Sequence, residues 1–363
     1  MNNFTKEIIT LIEKNVTHNV IQHYHESIFP QESWDWLFKN LVSLIDYEKL
    51  NGEAICSLFE SLGYACKDGG LNFAIGAQTL AANIPFYLYA SEEQKLKYFE
   101  NLKNGRFICA NAITEPEAGS DIFSMKTKAV KLDNTYSLSG LKTFCSNFKE
   151  ASTALVYALT DKEKGAHGGV SVFIVDSSNF SVGQTYTKMG LRTCSIGELI
   201  LDNSSAQLLG KEGAGLSIFT TAMNWERIGL SAIYVGTMQR LFEQSLNYAK
   251  NRNQGGKKIG DNQAISHKIA EMKTLIHTSR LMVNDAAKKL NTDRSVNEFA
   301  SMCKYFVSEN YIKVCQYAIQ IHGGNGYMED YEIERSLRDA QASTIYSGTT
   351  EIQKNIIAKW NGL

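Results

Sequence analysis

Residues 216–250 read LSIFTTAMNWERIGLSAIYVGTMQRLFEQSLNYAK. Apolar residues recur through them at helical spacing, which predicts one long helix with Gly229 and Gly236 inside it. Phe219, Met223, Glu226, Leu230 and Ile233 stand at i, i+4, i+7, i+11 and i+14. Glu226 therefore falls within an apolar stripe. A carboxylate there is desolvated, which raises its pKa and its basicity. The plain alternative is an ion pair with an arginine from another helix.

Downstream, the polar, Gly-rich run 253–262 is a loop, and Ala264–Leu290, Val296–His322 and Glu351–Trp360 are predicted helices. Upstream the period changes. Thr127–Lys131 and Tyr136–Leu141 alternate around Asp133-Asn134, a hairpin signal. Ala154–Leu159, Val170–Val175, Gln184–Lys188 and Glu198–Leu201 are further short strands. Residues 1 to about 107 are helical in pattern, with Ser91-Glu92-Glu93-Gln94 as an N-cap followed by acidic first-turn residues. The expected class is α+β: an N-terminal helical domain (1–107), a middle small β-barrel or sandwich domain (108–207) and a C-terminal four-helix-bundle domain (208–363).

Composition narrows the function. Of 363 residues, 44% are hydrophobic and 21% charged, which excludes bulk disorder. Lys+Arg is 37 against Asp+Glu 38. That balance argues against a nucleic-acid binder or a polybasic membrane adsorber. Three prolines (Pro30, Pro85, Pro116) leave room for long helices. No apolar run is long enough to span a bilayer. MNNFTKEIITLIEKN reads as an amphipathic helix rather than a signal peptide. The 7 cysteines form no C-x-x-C pair and read as buried thiols of a reducing cytoplasm. His18, His23 and His25 lack a matching carboxylate or cysteine spacing, so no metal is expected. Gly210, Gly213 and Gly215 lack the strand–turn–helix–strand context of a dinucleotide fingerprint.

Thr114-Glu115-Pro116-Glu117-Ala118-Gly119-Ser120-Asp121 gathers turn formers, hydroxyls and acids where the helical pattern gives way to strands. TEPEAGSD resembles the signature of the acyl-CoA dehydrogenase family of flavoproteins. So do Lys142–Asn147 (KTFCSN), Gln263-Ala264-Ile265, Gln320–Tyr327 (QIHGGNGY), Arg338-Asp339 and Tyr346–Gln353 (YSGTTEIQ), in the family's order. The resemblance implies FAD between the β domain and the C-terminal helices. Ile113, Thr114, Gly119 and Ser120 match positions lining the isoalloxazine and the thioester. Phe144 matches the usual Trp beside the flavin and Ser146 the usual Thr. Arg252 matches the arginine at the FAD pyrophosphate of the neighbouring subunit, and Gln320 and Gly324 further adenosine-side contacts there. Thr349 and Glu351 match flavin contacts. Gly324 as a helix C-cap and Arg252 as a surface residue are the bland readings. The cross-subunit matches imply a homodimer or homotetramer.

Two positions depart from the family. Ser347 stands where many members carry the catalytic Glu, and a hydroxyl cannot remove a thioester α-proton without its own base. Gly255 stands where many place Phe, which alters the expected adenine pocket. Isovaleryl- and long-chain-specific members place their base in a Glu-Arg dipeptide on the long helix, and Glu226-Arg227 matches it. The resemblance then implies that Glu226 takes the α-proton and the β-hydride leaves to flavin N5. The thioester oxygen would meet a ribityl hydroxyl and the backbone N–H of Ser347. ANAITEPEAGSDIFSM, MNWERIGLSAIYVG and YSGTTEIQKNIIAKWNGL are more similar to the branch acting on aminoacyl groups, such as prolyl, tethered to carrier proteins in biosynthetic pathways. A branched or medium- to long-chain acyl-CoA is the alternative substrate. An electron-transfer flavoprotein or oxygen is the expected oxidant. Other flavin chemistry, a nucleic-acid-binding flavoprotein and an inactive paralogue are the competing classes.

Overall fold

A computed structural model describes residues 3–16, 18–133, 135–290 and 295–363. Helices α1 (Asn3–Asn15), α2 (Val20–Glu26), α3 (Gln31–Asn40) and α4 (Gly52–Ala65) open the chain. Then α5 (Gly69–Gly76) continues through a π-helical stretch, Ala77–Asn83, into α6 (Ile84–Tyr89). Short helices α7 (Glu92–Gln94) and α8 (Glu100–Lys103) follow. Ser91 and Gln94 form the predicted cap reciprocally: Gln94 N–H donates to Ser91 Oγ at 3.2 Å, and Ser91 N–H to Gln94 Oε1 at 3.0 Å.

Seven strands come next: β1 (Cys109–Ala112), β2 (Lys128–Lys131), β3 (Tyr136–Ser146), β4 (Thr153–Leu159), β5 (Val170–Asp176), β6 (Ser181–Thr185) and β7 (Ile196–Leu209). Pairings β1–β4, β4–β5, β5–β7, β7–β3 and β3–β1 close a ring, so the middle region is a barrel. The strand β1 carries no alternating signal, because both its faces are covered. β3 runs through the KTFCSN motif and β7 is far longer than the Glu198–Leu201 run. β6 precedes the expected Gln184–Lys188 segment, which it overlaps only at its end. Of the hairpin turn, Asn134 lies outside the described residues.

The predicted long helix is α9 (Gly215–Asn251), followed by a two-residue-stranded hairpin, β8 (Asn253–Gln254) and β9 (Lys257–Lys258). Its turn residues Gly255 and Gly256 have φ of +60° and +80°. That left-handed pair suits glycine at both positions of the turn. The remaining helices are α10 (Gln263–Lys289), α11 (Val296–His322), α12 (Gly324–Tyr327), α13 (Ile333–Ala342) and α14 (Thr350–Trp360).

One apolar core joins the first helices to the last: Trp34, Phe59, Leu230, Ile233, Val283 and Val307 belong to the same buried cluster. Glycine makes the central crossing possible. A Cβ on Gly236 would sit 2.0 Å from the Glu60 carbonyl, and one on Gly63 2.0 Å from that of Ile233. The backbones of α4 and α9 thus touch, and Gly236 is a contact rather than a tolerated defect. A second core, with Phe86, Leu155, Tyr157 and Ile218, seats the barrel against α6 and α9. All seven cysteines are buried and free. Among the described residues no helix is long and apolar enough to cross a membrane.

Candidate active site

Glu226 projects from α9 between the barrel and the C-terminal helices and is buried. Removal from water pushes its carboxyl from the ordinary 4.5 to about 7; a hydrogen bond with the Ser347 side chain and the charges of Arg227 and Lys304 oppose the rise. No ion pair reaches Glu226 among the described residues. Its surroundings are aromatic. Tyr346 and Tyr234 join hydroxyl to hydroxyl, and Tyr346 packs on Phe73 at 4.6 Å between ring centroids. Two turns back on α9, Phe219 meets Tyr157 of β4 edge to face at 6.1 Å, and Phe123 at 6.3 Å. The buried Tyr157 hydroxyl has no hydrogen-bond partner among the described residues.

The segment between α13 and α14 carries Ser347 and Gly348 at φ of +54° and +88°. Their carbonyls are held from inside the bundle. Arg227 Nε donates to the Ser347 carbonyl at 3.0 Å, and Gln353 Nε2 to the same oxygen at 3.0 Å and to the Gly348 carbonyl at 2.8 Å. Lys304 Nζ donates to the Gly348 carbonyl at 2.7 Å. Arg227 also reaches Asn297 Oδ1 at 3.3 Å, so the Glu-Arg dipeptide splits: Glu226 to the site, Arg227 to the backbone behind it. The Ser347 N–H has no hydrogen-bond acceptor among the described residues.

On the barrel, Thr114 is tied to β3 by the Thr143 N–H at 2.8 Å, and the Ile113 carbonyl accepts from Lys142 Nζ at 2.9 Å. Lys142 in turn pairs with Glu115 at 2.8 Å, with side chains 0% and 6% exposed. The Glu115 carboxylate also takes the N–H groups of Lys126 and Thr127. The TEPE turn is thereby fixed from below. Gly119 and Ser120 stay exposed, and a Cβ on Gly119 would meet nothing within 4 Å. Phe144 has φ +54° and is 64% exposed, its ring 5.1 Å from that of Tyr186. Ser146 lies opposite Asn111 on β1. Asn111 Oδ1 and Thr143 Oγ1 are buried without partners among the described residues. An uncovered aromatic face, open space at Gly119 and orphaned polar atoms together fit a planar heteroaromatic ring.

The comparisons with known proteins bear directly on this arrangement. Residues 110–204 match the acyl-CoA dehydrogenase middle domain, and residues 213–361 the acyl-CoA dehydrogenase C-terminal domain. An acyl-CoA dehydrogenase of Bacillus subtilis (strain 168) is 41% identical over 291 residues, covering 79% of this chain and 76% of its own. The chain belongs to the acyl-CoA dehydrogenase family. It is accordingly an FAD-dependent oxidoreductase of acyl thioesters. Among solved structures, the prolyl acyl carrier protein oxidase AnaB superposes with a TM-score of 0.96 at 36% identity, covering 100% of both chains. The structure of PigA with FAD and proline gives 0.94 at 32% identity, covering 100% of this chain and 98% of PigA.

The expected site residues of this family member fall in four places. Glu226 and Ser347 come together at the centre. Ile113, Thr114, Gly119, Ser120, Phe144 and Ser146 line the barrel edge. Arg252, Gln320 and Gly324 lie elsewhere: Arg252 is 26 residues beyond Glu226, roughly 39 Å along the helix axis. Exposed Arg252 lines a cleft of about 420 Å³ with Tyr248, His322 and Tyr331. Gln320 and Gly324 are exposed near it. Gly323, at φ +60°, caps α11, whereas Gly324 opens α12, so the C-cap reading of Gly324 is corrected. Thr349 caps α14 by accepting from the Ile352 N–H at 3.3 Å, and exposed Glu351 sits in that first turn.

Sequence reasoning assigned no role to Lys304, Gln353 or the Ser347 hydroxyl. Gln353 lies in the YSGTTEIQ motif, and that membership is its one signal in the sequence. Lys304, in FASMCKYFVSEN, has no local signal that separates it from a solvated helix lysine.

Proposed function

We propose that this protein oxidises the α,β bond of an acyl or aminoacyl group, with prolyl the first to test, held as a thioester on a carrier protein of a biosynthetic pathway. The observation that carries the reading is Glu226: a buried carboxylate without an ion-pair partner among the described residues, poised near neutrality. A base of that pKa is partly ionised near neutral pH and accepts a proton without first breaking a salt bridge. Glu226 takes the α-proton, and the aromatic walls keep water from competing for it. The Ser347 N–H donates to the thioester oxygen as negative charge gathers there. FAD, when bound, supplies the acceptor for the β-hydride. Ile113, Thr114, Gly119, Ser120, Phe144, Ser146, Thr349 and Glu351 would hold it from one chain, and Arg252, Gln320 and Gly324 from a neighbouring copy. That division calls for a homodimer or homotetramer in the cytoplasm, reoxidised by an electron-transfer flavoprotein or oxygen.

The similarity to AnaB and PigA supports the carrier-bound aminoacyl substrate. A second reading, an acyl-CoA, is favoured by the Bacillus subtilis relative and the Glu226-Arg227 dipeptide. One experiment separates them. Holoenzyme is mixed anaerobically with prolyl-loaded carrier protein and with a panel of acyl-CoAs, and flavin bleaching and loss of two mass units are followed. Bleaching by the carrier substrate supports the proposal. Bleaching by acyl-CoAs alone supports the alternative, and none by either favours an inactive paralogue.

A further inference from the structure

Lys304 has no part in the chemistry above, yet it is buried beside it with no carboxylate paired to it among the described residues. It lies on α11 at 2% exposure, and its ammonium donates to the Gly348 carbonyl at 2.7 Å. Arg227 repels it, while Glu309, Glu351 and Glu226 attract it from beyond ion-pair distance. Burial and Arg227 push it down to about 7. Such a lysine is expensive to bury, and a methionine would fill the space without that cost.

What the ammonium touches is a backbone that needs holding. Two successive left-handed residues are unusual, and Ser347, unlike Gly348, has a Cβ that disfavours the conformation. Upstream, the Tyr346 N–H is fixed on the Ala342 carbonyl at 3.2 Å. Downstream, Arg227 and Gln353 hold the Ser347 carbonyl, and Gln353 and Lys304 hold that of Gly348. Between these anchors the Ser347 N–H has one orientation. The Lys304 nitrogen keeps N–H donors for the Gly348 carbonyl with or without its extra proton, which suits the last anchor before α14.

We propose that Lys304 is a positioning residue, whose ammonium locks the Ser347–Gly348 backbone in its left-handed form and so fixes the Ser347 N–H for the thioester oxygen. This rests on the reading of Ser347 N–H as that donor. A misaligned donor costs rate more than binding, because the bond strengthens as charge develops.

The test uses holoenzyme carrying Lys304→Met, with Lys304→Arg as the charge-retaining control. Anaerobic stopped-flow bleaching by prolyl-loaded carrier gives the limiting rate and the apparent Kd. Hydrogen exchange of residues 344–350, read by mass spectrometry without substrate, reports the turn itself. Lys304→Met is expected to bleach about 10- to 100-fold more slowly with Kd within threefold. Exchange in 344–350 should quicken while α9 and α11 stay protected, and Lys304→Arg should restore both readouts in part. A parent-like rate overturns the proposal, as does a lost rate with parent-like exchange. If Lys304→Met does not fold, Lys304→Leu, which also lacks a donor, takes its place with the same outcomes. If no thioester bleaches the parent, the substrate reading has failed. Exchange then decides the lock separately: parent-like protection in Lys304→Met overturns it.

Discussion

Two buried sets of charge, one under the barrel and one in the helical bundle, use the same residue types to opposite ends. Lys142 and Glu115 meet at 2.8 Å, and two backbone N–H groups complete the carboxylate. Lys142 and its hydrogen bonds hold Glu115 below the ordinary carboxylate range despite burial. Glu226, with Arg227 and Lys304 close by, pairs with neither. The cations turn to the carbonyls of Ser347 and Gly348, and the carboxyl rises to about 7. A fully satisfied buried charge holds a loop in place. An incompletely satisfied one keeps the capacity to take up a proton.

The contrast breaks most directly at Glu226. Glu226→Gln should slow anaerobic bleaching by ~10²–10⁴-fold while the FAD spectrum and thermal stability survive. A rate within a few-fold of the parent would place the base elsewhere. The same variant tests linkage. A carboxyl raised in the folded state favours folding while protonated. Its contribution is therefore fully present below 4.5 and is lost as pH rises to about 7. Urea titrations across that window should show a decline in the parent that Glu226→Gln flattens.

At the closed pair, Lys142→Met should lower stability by about 3–5 kcal/mol, since it leaves Glu115 buried without its cation. Glu115→Leu with Lys142→Met should recover much of that loss. An unchanged urea midpoint in the single variant would show the pair to be dispensable.

A smaller effect sharpens the open set. Below about pH 7 the bleaching rate should fall about tenfold per pH unit as Glu226 protonates, and level off above it. A pH profile without a break near neutrality contradicts the assignment. The smallest effect belongs to Ser347→Ala, which should keep its rate within a few-fold because the thioester meets only its N–H. The break in the pH profile should move upward, because the lost hydroxyl opposed the rise of Glu226. Abolished activity with fold and FAD intact would show that the hydroxyl is chemically required.

Short-range physics is legible in the sequence itself. The period of residues 216–250 specified α9 and placed Glu226 in its apolar stripe, and Ser91 with Gln94 marked a helix start. Strand β1 escaped because a strand covered on both faces has no alternation to read. The full lengths of β3 and β7 escaped because barrel pairing, not local pattern, extends them.

Sequence by itself determined the four longest predicted C-terminal helices, the order of helical and strand regions, the family motifs and the absence of a base at position 347. Only the tertiary structure decided which charges stay unpaired. Lys304 meets Gly348 across 44 residues, Arg227 meets Ser347 across 120, and Lys142 meets Glu115 across 27. Periodicity reports which face of a helix is apolar. It does not report which carbonyl another helix presents to a buried cation, and on that choice depends whether the neighbouring carboxylate becomes an ion pair or a base.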